Sequence, residues 1–310
     1  MPLPALNTFA GNPLDRAGDR RNDPDWLIQQ EDNPEAVALV LWEGRPLIEP
    51  HPDGPRLRWL GLEQARAVVP DRELFLGLWK QAPVFAVEVE GSLDPATGPL
   101  AGLGAFHEMR EAAALLPDVD TAMAGTAKSL FDWRRRHGFC AACGVETETG
   151  SGGWKRVCPA CRTEHFPRVD PVTIMLPVFT GGSEPKCLLG RQAAWPEGRM
   201  SALAGFLEPG ETIEEACARE IAEEAGLTVT RVRYHSSQPW PFPSQLMIGL
   251  IAEVDGEDAR PDQTELEAVA WLTRAEARAC LAGDHPAIKA PPPIAIARTL
   301  LQAWVDGFDV

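Results

Sequence analysis

A chain of 310 residues, 45% hydrophobic and 24% charged, has the make-up of an ordinary globular protein and the length of about two domains. Its 29 Lys and Arg stand against 45 Asp and Glu, a net charge of −16. That balance excludes a generally basic nucleic-acid coat and argues against a binder of anionic membranes. The longest apolar runs, Val172 to Phe179 and Leu246 to Ala252, fall far short of the roughly 20 residues that cross a bilayer. The first 21 residues lack the positive-then-apolar pattern of an export signal, so no membrane partner and a cytoplasmic location are expected.

In chain order, residues 1–35 are rich in Pro, Asp, Asn and Gly and read as loop. The run Ala36 to Trp42 and the segment Val84 to Val89 read as strands. From Ala105 to Leu116 and from Thr121 to Arg135 the apolar period becomes helical, with Met123, Ala127, Leu130 and Phe131 spaced by one helical turn or its near equivalent. Residues 1–130 therefore form one α/β domain that shows no chemistry of its own, and no internal repeat is visible. Residues 131–170 are short, Gly- and Cys-rich and locally basic. Between Trp133 and Arg168 there are seven Lys or Arg against three Glu, a local charge of +4.

A second α/β domain, 171–310, opens with a hairpin of Val172 to Phe179 and Lys186 to Gly190 around Gly181-Gly182. A helix is expected from Ile213 to Ala225, a strand from Gln245 to Val254, and loop plus strand from Glu265 to Leu272. The last helix runs from Pro293 to Val305, with Pro291 to Pro293 around its first turn.

Seven cysteines are an odd number and argue against a pure disulfide framework. Cys187, Cys217 and Cys280 are scattered and read as small core residues. The other four form two C-x2-C knuckles, Cys140–Cys143 and Cys158–Cys161, with fourteen residues between them. Two knuckles make a closed tetrahedral shell of four thiolates, which is what structural Zn2+ requires. No position is left for water, so the ion is assigned to structure rather than catalysis. His137 and His165 are surplus to a filled shell. The segment resembles a zinc ribbon, and its basic charge keeps a nucleic-acid-binding role open.

The strongest pattern is GFLEPGETIEEACAREIAEEAGL, Gly205 to Leu227. Thr212 to Glu215 is a T-x-x-E capping box that starts a helix, and Gly226 stands where a left-handed stop belongs. Ile213, Cys217 and Ile221 recur every four residues as a buried stripe. Glu220, Glu223 and Glu224 lie at i, i+3 and i+4, so their carboxylates share one face. Such a cluster repels itself unless cations neutralise it, and hard oxygen ligands select Mg2+ or Mn2+. Arg219 is placed to pair with Glu223 one turn on. A Glu-rich helix is more often a plain solvated face. Here the glycines, the arginine and the cap are all in register with the acids. The chemistry suits attack of water on a diphosphate, with Glu223 the candidate base.

Gly205, Glu211, Arg219, Glu220, Ile221, Glu223, Glu224, Gly226 and Leu227 occupy the defining positions of the Nudix box, a match that chance would supply on the order of once in a million chains. Ten residues further on, Ser237-Gln-Pro-Trp-Pro-Phe-Pro243 is a stiff segment that holds Trp240 and Phe242 for stacking or packing. With the FCAACG ribbon, HFPRVDP, Glu265 and the terminal PPPIAIAR helix, residues 130 to 305 resemble the NADH pyrophosphatases of the Nudix superfamily. One position departs: Ser244-Gln245 stands where that family usually has serine second.

The resemblance implies a Nudix α/β/α sandwich, a degenerate Nudix-like N-terminal domain and an inserted zinc ribbon. It implies that Glu220, Glu223, Glu224 and Glu265 serve the divalent cations, with the Ala204 carbonyl as a backbone ligand and Glu267 as the fallback for Glu265. Arg219, Glu223 and Glu265 join Glu220 and Glu224 as catalytic residues. Phe206, and Phe166 from a partner subunit, would sandwich a ring of the dinucleotide. Gln238, Pro239, Trp240, Pro241, Phe242, Pro243, Ser244, Gln245 and the Ala297 backbone would line the substrate. The implied enzyme is a homodimer that splits NAD(H) into nicotinamide mononucleotide and AMP, with NAD-capped RNA as a linked substrate. Two alternatives remain: a Nudix hydrolase for another nucleoside diphosphate derivative such as ADP-ribose, and a zinc-ribbon nucleic-acid-binding module with an inactive hydrolase domain.

Overall fold

Strands whose side chains alternate between two apolar surroundings need a helical layer on each side of their sheet. The computed structural model describes residues 7–69, 73–89 and 98–310. They fall into two units: Phe9–Val169 with Trp240–Ser244, and residues 7–8 with Asp170–Pro239 and Gln245–Val310.

Unit one contains α1 (Pro24–Glu31), β1 (Val37–Trp42), β2 (Arg45–Glu49), β3 (Arg56–Leu57), β4 (Trp59–Gly61), α2 (Leu62–Val68), β5 (Leu74–Trp79), β6 (Ala82–Val89), β7 (Ala105–Phe106), α3 (Met109–Leu115) and α4 (Asp118–Arg136). Its main sheet runs β3-β2-β1-β6-β5, with β4 beside β1 and β7 beside β2. β1 and β6 are parallel, from Val37 opposite Val84 to Trp42 opposite Val89. Val40, Leu47, Phe75, Phe85 and Val87 are central to its core.

Two expectations are corrected here. Residues 24–31 are helical, not loop. Asp23 caps the backbone N–H groups of Asp25 and Trp26, and Pro24 fills the first turn, where its missing N–H costs nothing. The helix expected from Ala105 starts only at Met109. Ala105 and Phe106 instead pair with Ile48 and Leu47 of β2, because an open sheet edge outbids a weak local preference. The rest of unit one is a three-stranded sheet, β8 (Glu148–Gly150), β9 (Lys155–Val157) and β10 (Glu164–His165), in the order β10-β9-β8.

Unit two contains β11 (Asp170–Phe179), β12 (Lys186–Arg191), β13 (Leu203–Phe206), α5 (Ile213–Ala225), β14 (Val229–Trp240), β15 (Gln245–Val254), β16 (Ala268–Thr273), α6 (Arg274–Ala282) and α7 (Ile296–Val305). The sheet order is β14-β15-β11-β12-β16, with β13 antiparallel to β11. β11 and β15 are parallel along their whole length. Burial on β11 and its neighbours splits by parity. Ile174, Leu176, Val178, Cys187, Leu189 and Ile251 pack with α6 and α7, around Leu300, Leu301 and Trp304. Met175, Leu188, Leu250 and Ala252 pack with Cys217, Ile221 and Ala225 of α5. This is the α/β/α sandwich. The last helix begins at Ile296 rather than Pro293, since the prolines form the turn before it and Ala295 bonds back to Pro292.

The two sheets share one plan. In each, a central strand has an antiparallel hairpin partner, a short antiparallel strand laid on it, and a parallel strand on its other side. α2 follows β4 as α5 follows β13, but it has only seven residues and a single acid, Glu63. The sequence displays no repeat because only the pairing plan is shared. No helix of the described residues is long and apolar enough to cross a membrane.

Leu300 is fully buried against the sheet, so Leu300→Ala should lower unfolding stability in urea by about 3 kcal/mol.

Candidate active site

The local sequence of α5 builds the site. Thr212 Oγ1 accepts the N–H of Glu215 at 3.2 Å, and the Glu215 carboxylate accepts the N–H of Thr212 at 2.8 Å, the reciprocal cap expected. Gly226 closes the helix at φ 68°. Anchoring Cys217, Ile221 and Ala225 in the core turns Glu220 and Glu224 toward β13, where they are 9% and 3% exposed. The side chain of Glu223 stays 60% exposed. Gly205 on β13 is required by this packing: a Cβ there would come within 1.8 Å of the Glu220 carboxyl carbon.

Arg219 is the hub of the acids. Its Nε donates to Glu211 Oε1 at 2.6 Å and its Nη2 to Glu211 Oε2 at 2.9 Å. Its Nη1 reaches Glu220 at 2.8 Å and Glu223 at 3.0 Å, and its Nη2 also reaches the Phe206 carbonyl at 2.9 Å. The pairing with Glu223 was expected. The bidentate grip on Glu211, eight residues away, was not. Arg219 and the N–H of Glu208 hold the Glu211 carboxyl down at about 2.

Glu224 lies outside Arg219's reach. Burial, then the negative charge of Glu220, Glu265 and Asp262, pushes it up to about 8, against a hydrogen bond from the Ala204 backbone. Burial also raises Glu220, although Arg219 opposes it. Glu224 Oε2 is buried with no hydrogen-bond partner among the described residues. A buried carboxylate oxygen facing other acids without a donor fits a hard divalent cation, so Glu220, Glu224 and Glu265 could hold one. Exposed Glu265 acts on both buried glutamates, whereas Glu267 is taken up by an ion pair with Arg191. Asp262 was not foreseen. It accepts the N–H groups of Glu265 and Leu266 and so shapes the turn that carries Glu265.

Elsewhere in unit two, the ring of Phe206 is 53% exposed. The buried amide of Gln238 is fully engaged: its nitrogen donates to the Thr8 and Ile294 carbonyls, and its oxygen accepts the N–H of Ile296 at 2.9 Å. Ala297 is buried in the first turn of α7, where a backbone N–H has no intrahelical partner. Pro239 is exposed, and Gln245 pairs with Asp170 where β11 and β15 begin. In unit one, Pro241 is buried, Pro243 follows a cis peptide bond, and Trp240, Phe242 and Ser244 are half-buried. Phe166 is 63% exposed.

The four ribbon cysteines bring their sulfurs within 4.8 Å of one another. Cys140 and Cys161 sulfurs are 3.6 Å apart, and those of Cys143 and Cys158 3.4 Å, close to the about 3.8 Å edge of a Zn–S4 tetrahedron. The knuckles match each other. Gly144 and Arg162, each just after a second cysteine, bond back to the Cys140 and Cys158 carbonyls at positive φ. Thr163 draws the Cys161 thiol down to about 6, favouring the thiolate that a metal needs. Cys187, Cys217 and Cys280 are free and buried, as expected.

Three family profiles cover most of the chain: "NUDIX domain" at residues 170–291, "NADH pyrophosphatase-like rudimentary NUDIX domain" at 35–133, and "NADH pyrophosphatase zinc ribbon domain" at 135–166. The NAD-capped RNA hydrolase NUDT12 of Macaca fascicularis is 33% identical over 96% of this chain and 73% of its own length. The NAD-capped RNA hydrolase NudC of Deinococcus radiodurans is 35% identical over 87% of each chain. This chain belongs to the NADH pyrophosphatase family of Nudix hydrolases. The NudC of Mycobacterium bovis, 42% identical over 64% of each chain, is a further member it resembles. The rudimentary NUDIX profile falls on the unit-one sheet, whose short α2 has one acid where α5 has five.

Cys158→Ser should release the zinc, which elemental analysis of the wild type should find at about one ion per chain. The Glu211–Arg219 pair sets an acid limit. Because Glu211 is depressed from 4.5 to about 2, its stabilising contribution is full above 4.5 and lost as pH falls through 2. Thermal melts of cation-free Glu211→Gln should therefore show a lower melting temperature at neutral pH and a shallower decline between those two values.

Proposed function

We propose that this chain hydrolyses the diphosphate of NAD(H) to nicotinamide mononucleotide and AMP, and removes NAD caps from RNA 5′ ends. The observation that carries the reading is the buried pair Glu220 and Glu224, one oxygen of which lacks any donor, packed against Gly205 and facing Glu265. Support also comes from two relatives that bear the name NAD-capped RNA hydrolase, one matched over 73% and the other over 87% of its own length.

In this reading Glu220, Glu224 and Glu265, with the Ala204 carbonyl, would hold Mg2+ or Mn2+, which would supply positive charge against the diphosphate and make a bound water more acidic. Arg219 keeps Glu220 and Glu223 in fixed positions. Glu223, exposed and hydrogen-bonded by Arg219, accepts the proton of the attacking water. The exposed ring of Phe206 offers a stacking face for a base or the nicotinamide, a contact of roughly 1–3 kcal/mol. Phe166, supplied by a partner subunit, is the opposite face. The exposed Phe139, Phe166 and Val169 of unit one favour a homodimer, and seven cysteines of which none is in a disulfide favour the cytoplasm.

Product analysis of NADH with and without added divalent cation tests the proposal. Nicotinamide mononucleotide and AMP should form only with cation. Glu224→Gln should lower kcat/KM at least about a hundredfold while leaving the melting curve intact. Cation-independent products, or a preference for ADP-ribose over both NADH and NAD-capped RNA, would overturn it.

A further inference from the structure

Within unit one the rings of Trp240 and Phe242 are held from several sides. Phe9 stands edge-on to both, with centroids 6.0 Å away. The Arg110 guanidinium lies 4.2 Å over the Phe242 ring and 5.9 Å from that of Trp240. From α4, Lys128 Nζ sits 5.5 Å from the Phe242 ring, and Ser129 Oγ donates to the Pro243 carbonyl at 3.3 Å.

Two of the holders are costly locally. Phe9 is a buried aromatic residue at φ 68°, a region bulky residues enter only when their surroundings demand it. Gly125 interrupts the middle of α4, where glycine weakens a helix. Both make sense together. A Cβ on Gly125 would meet Phe9 Cδ1 at 2.8 Å and Pro241 Cγ at 3.4 Å. The glycine makes room for the ring and the proline that the strained Phe9 backbone brings in. Lys128 is in turn braced by Asp132 at 2.5 Å, and Asp132 also takes Arg135, which reaches Glu88. Arg110 has no carboxylate partner among the described residues, so the rings are its counterpart.

We propose that Arg110 and Phe9 are specificity-positioning residues, which hold the Trp240–Pro243 segment in one conformation for recognition of a nicotinamide dinucleotide. They touch neither substrate nor reacting atoms. The inference rests on the NAD(H) diphosphatase reading. A segment released from the cradle must be ordered again at each binding event, which weakens binding and leaves the chemical step alone.

Arg110→Leu and Arg110→Lys are compared with the wild type by amide hydrogen exchange at Trp240, Phe242 and Ser244, and by kinetics on NADH and ADP-ribose. Exchange in Arg110→Leu should accelerate, and KM for NADH should rise about fivefold with kcat within about twofold, the size of one exposed cation–π contact. ADP-ribose, which lacks the nicotinamide, should lose less, and Arg110→Lys should recover most of the difference. Gly125→Ala, which pushes on Phe9, should move exchange and KM the same way. Unchanged exchange with unchanged KM would overturn the proposal. So would an equal fall in kcat on both substrates, which marks general damage. A wild type that does not turn over NADH sinks the functional reading instead, and the exchange rates then judge the cradle by themselves.

Discussion

One guanidinium serving three carboxylates sets the terms for α5. Arg219 satisfies Glu211, Glu220 and Glu223, and it has nothing left for Glu224. The acids are affordable on α5 only because the cap, the core stripe and Gly205 hold the helix against β13 so closely that no side chain separates Glu220 from the strand. The same closeness buries Glu224 and leaves its Oε2 without a donor among the described residues. A residual negative field is thus built into a site that is otherwise well packed, and a cation is the species that completes it.

The duplicated sheet plan puts that site in perspective. Unit one repeats the strand pairings of unit two, yet its α2 is two turns long and ends without a glycine stop. A helix so short cannot carry a buried stripe and an acid face together. The core of unit one is nonetheless as complete as any, with Leu39, Val84 and Phe85 essentially inaccessible. The plan stands as packing without the acid face of α5, as expected when sheet pairing and site chemistry depend on different residues.

What was legible in the sequence was local. The α5 cap, its core stripe and its stop lie within fifteen residues, and the cysteine spacing contains the whole ribbon shell. Glu265 was placed by resemblance, and the coupling to Glu224 bears on it through space. What stayed hidden was long-range. Arg219 finds Glu211 a loop away, and Asp262 shapes the turn that carries Glu265 besides bringing its own charge to bear on Glu224. β7 exists because β2 offers an edge, and no period in residues 105–106 announces that. The left-handed Phe9 is legible only from its neighbours Gly125 and Pro241, more than a hundred residues on. α1 was the exception: Asp23-Pro24 is a local start signal, outweighed by the Pro- and Gly-rich composition around it.

Gln238 gives the region a fixed polarity. A carboxamide that donates twice and accepts once, inside the protein, cannot rotate end for end without breaking every one of those links. The final residues of β14 and the opening turn of α7 therefore behave as a single piece, and the unclaimed amide at Ala297 is aimed by a side chain that lies fifty-nine positions earlier in the chain. Any molecule that accepts from that amide meets a donor already set in direction, and gives up little freedom of the host in taking it.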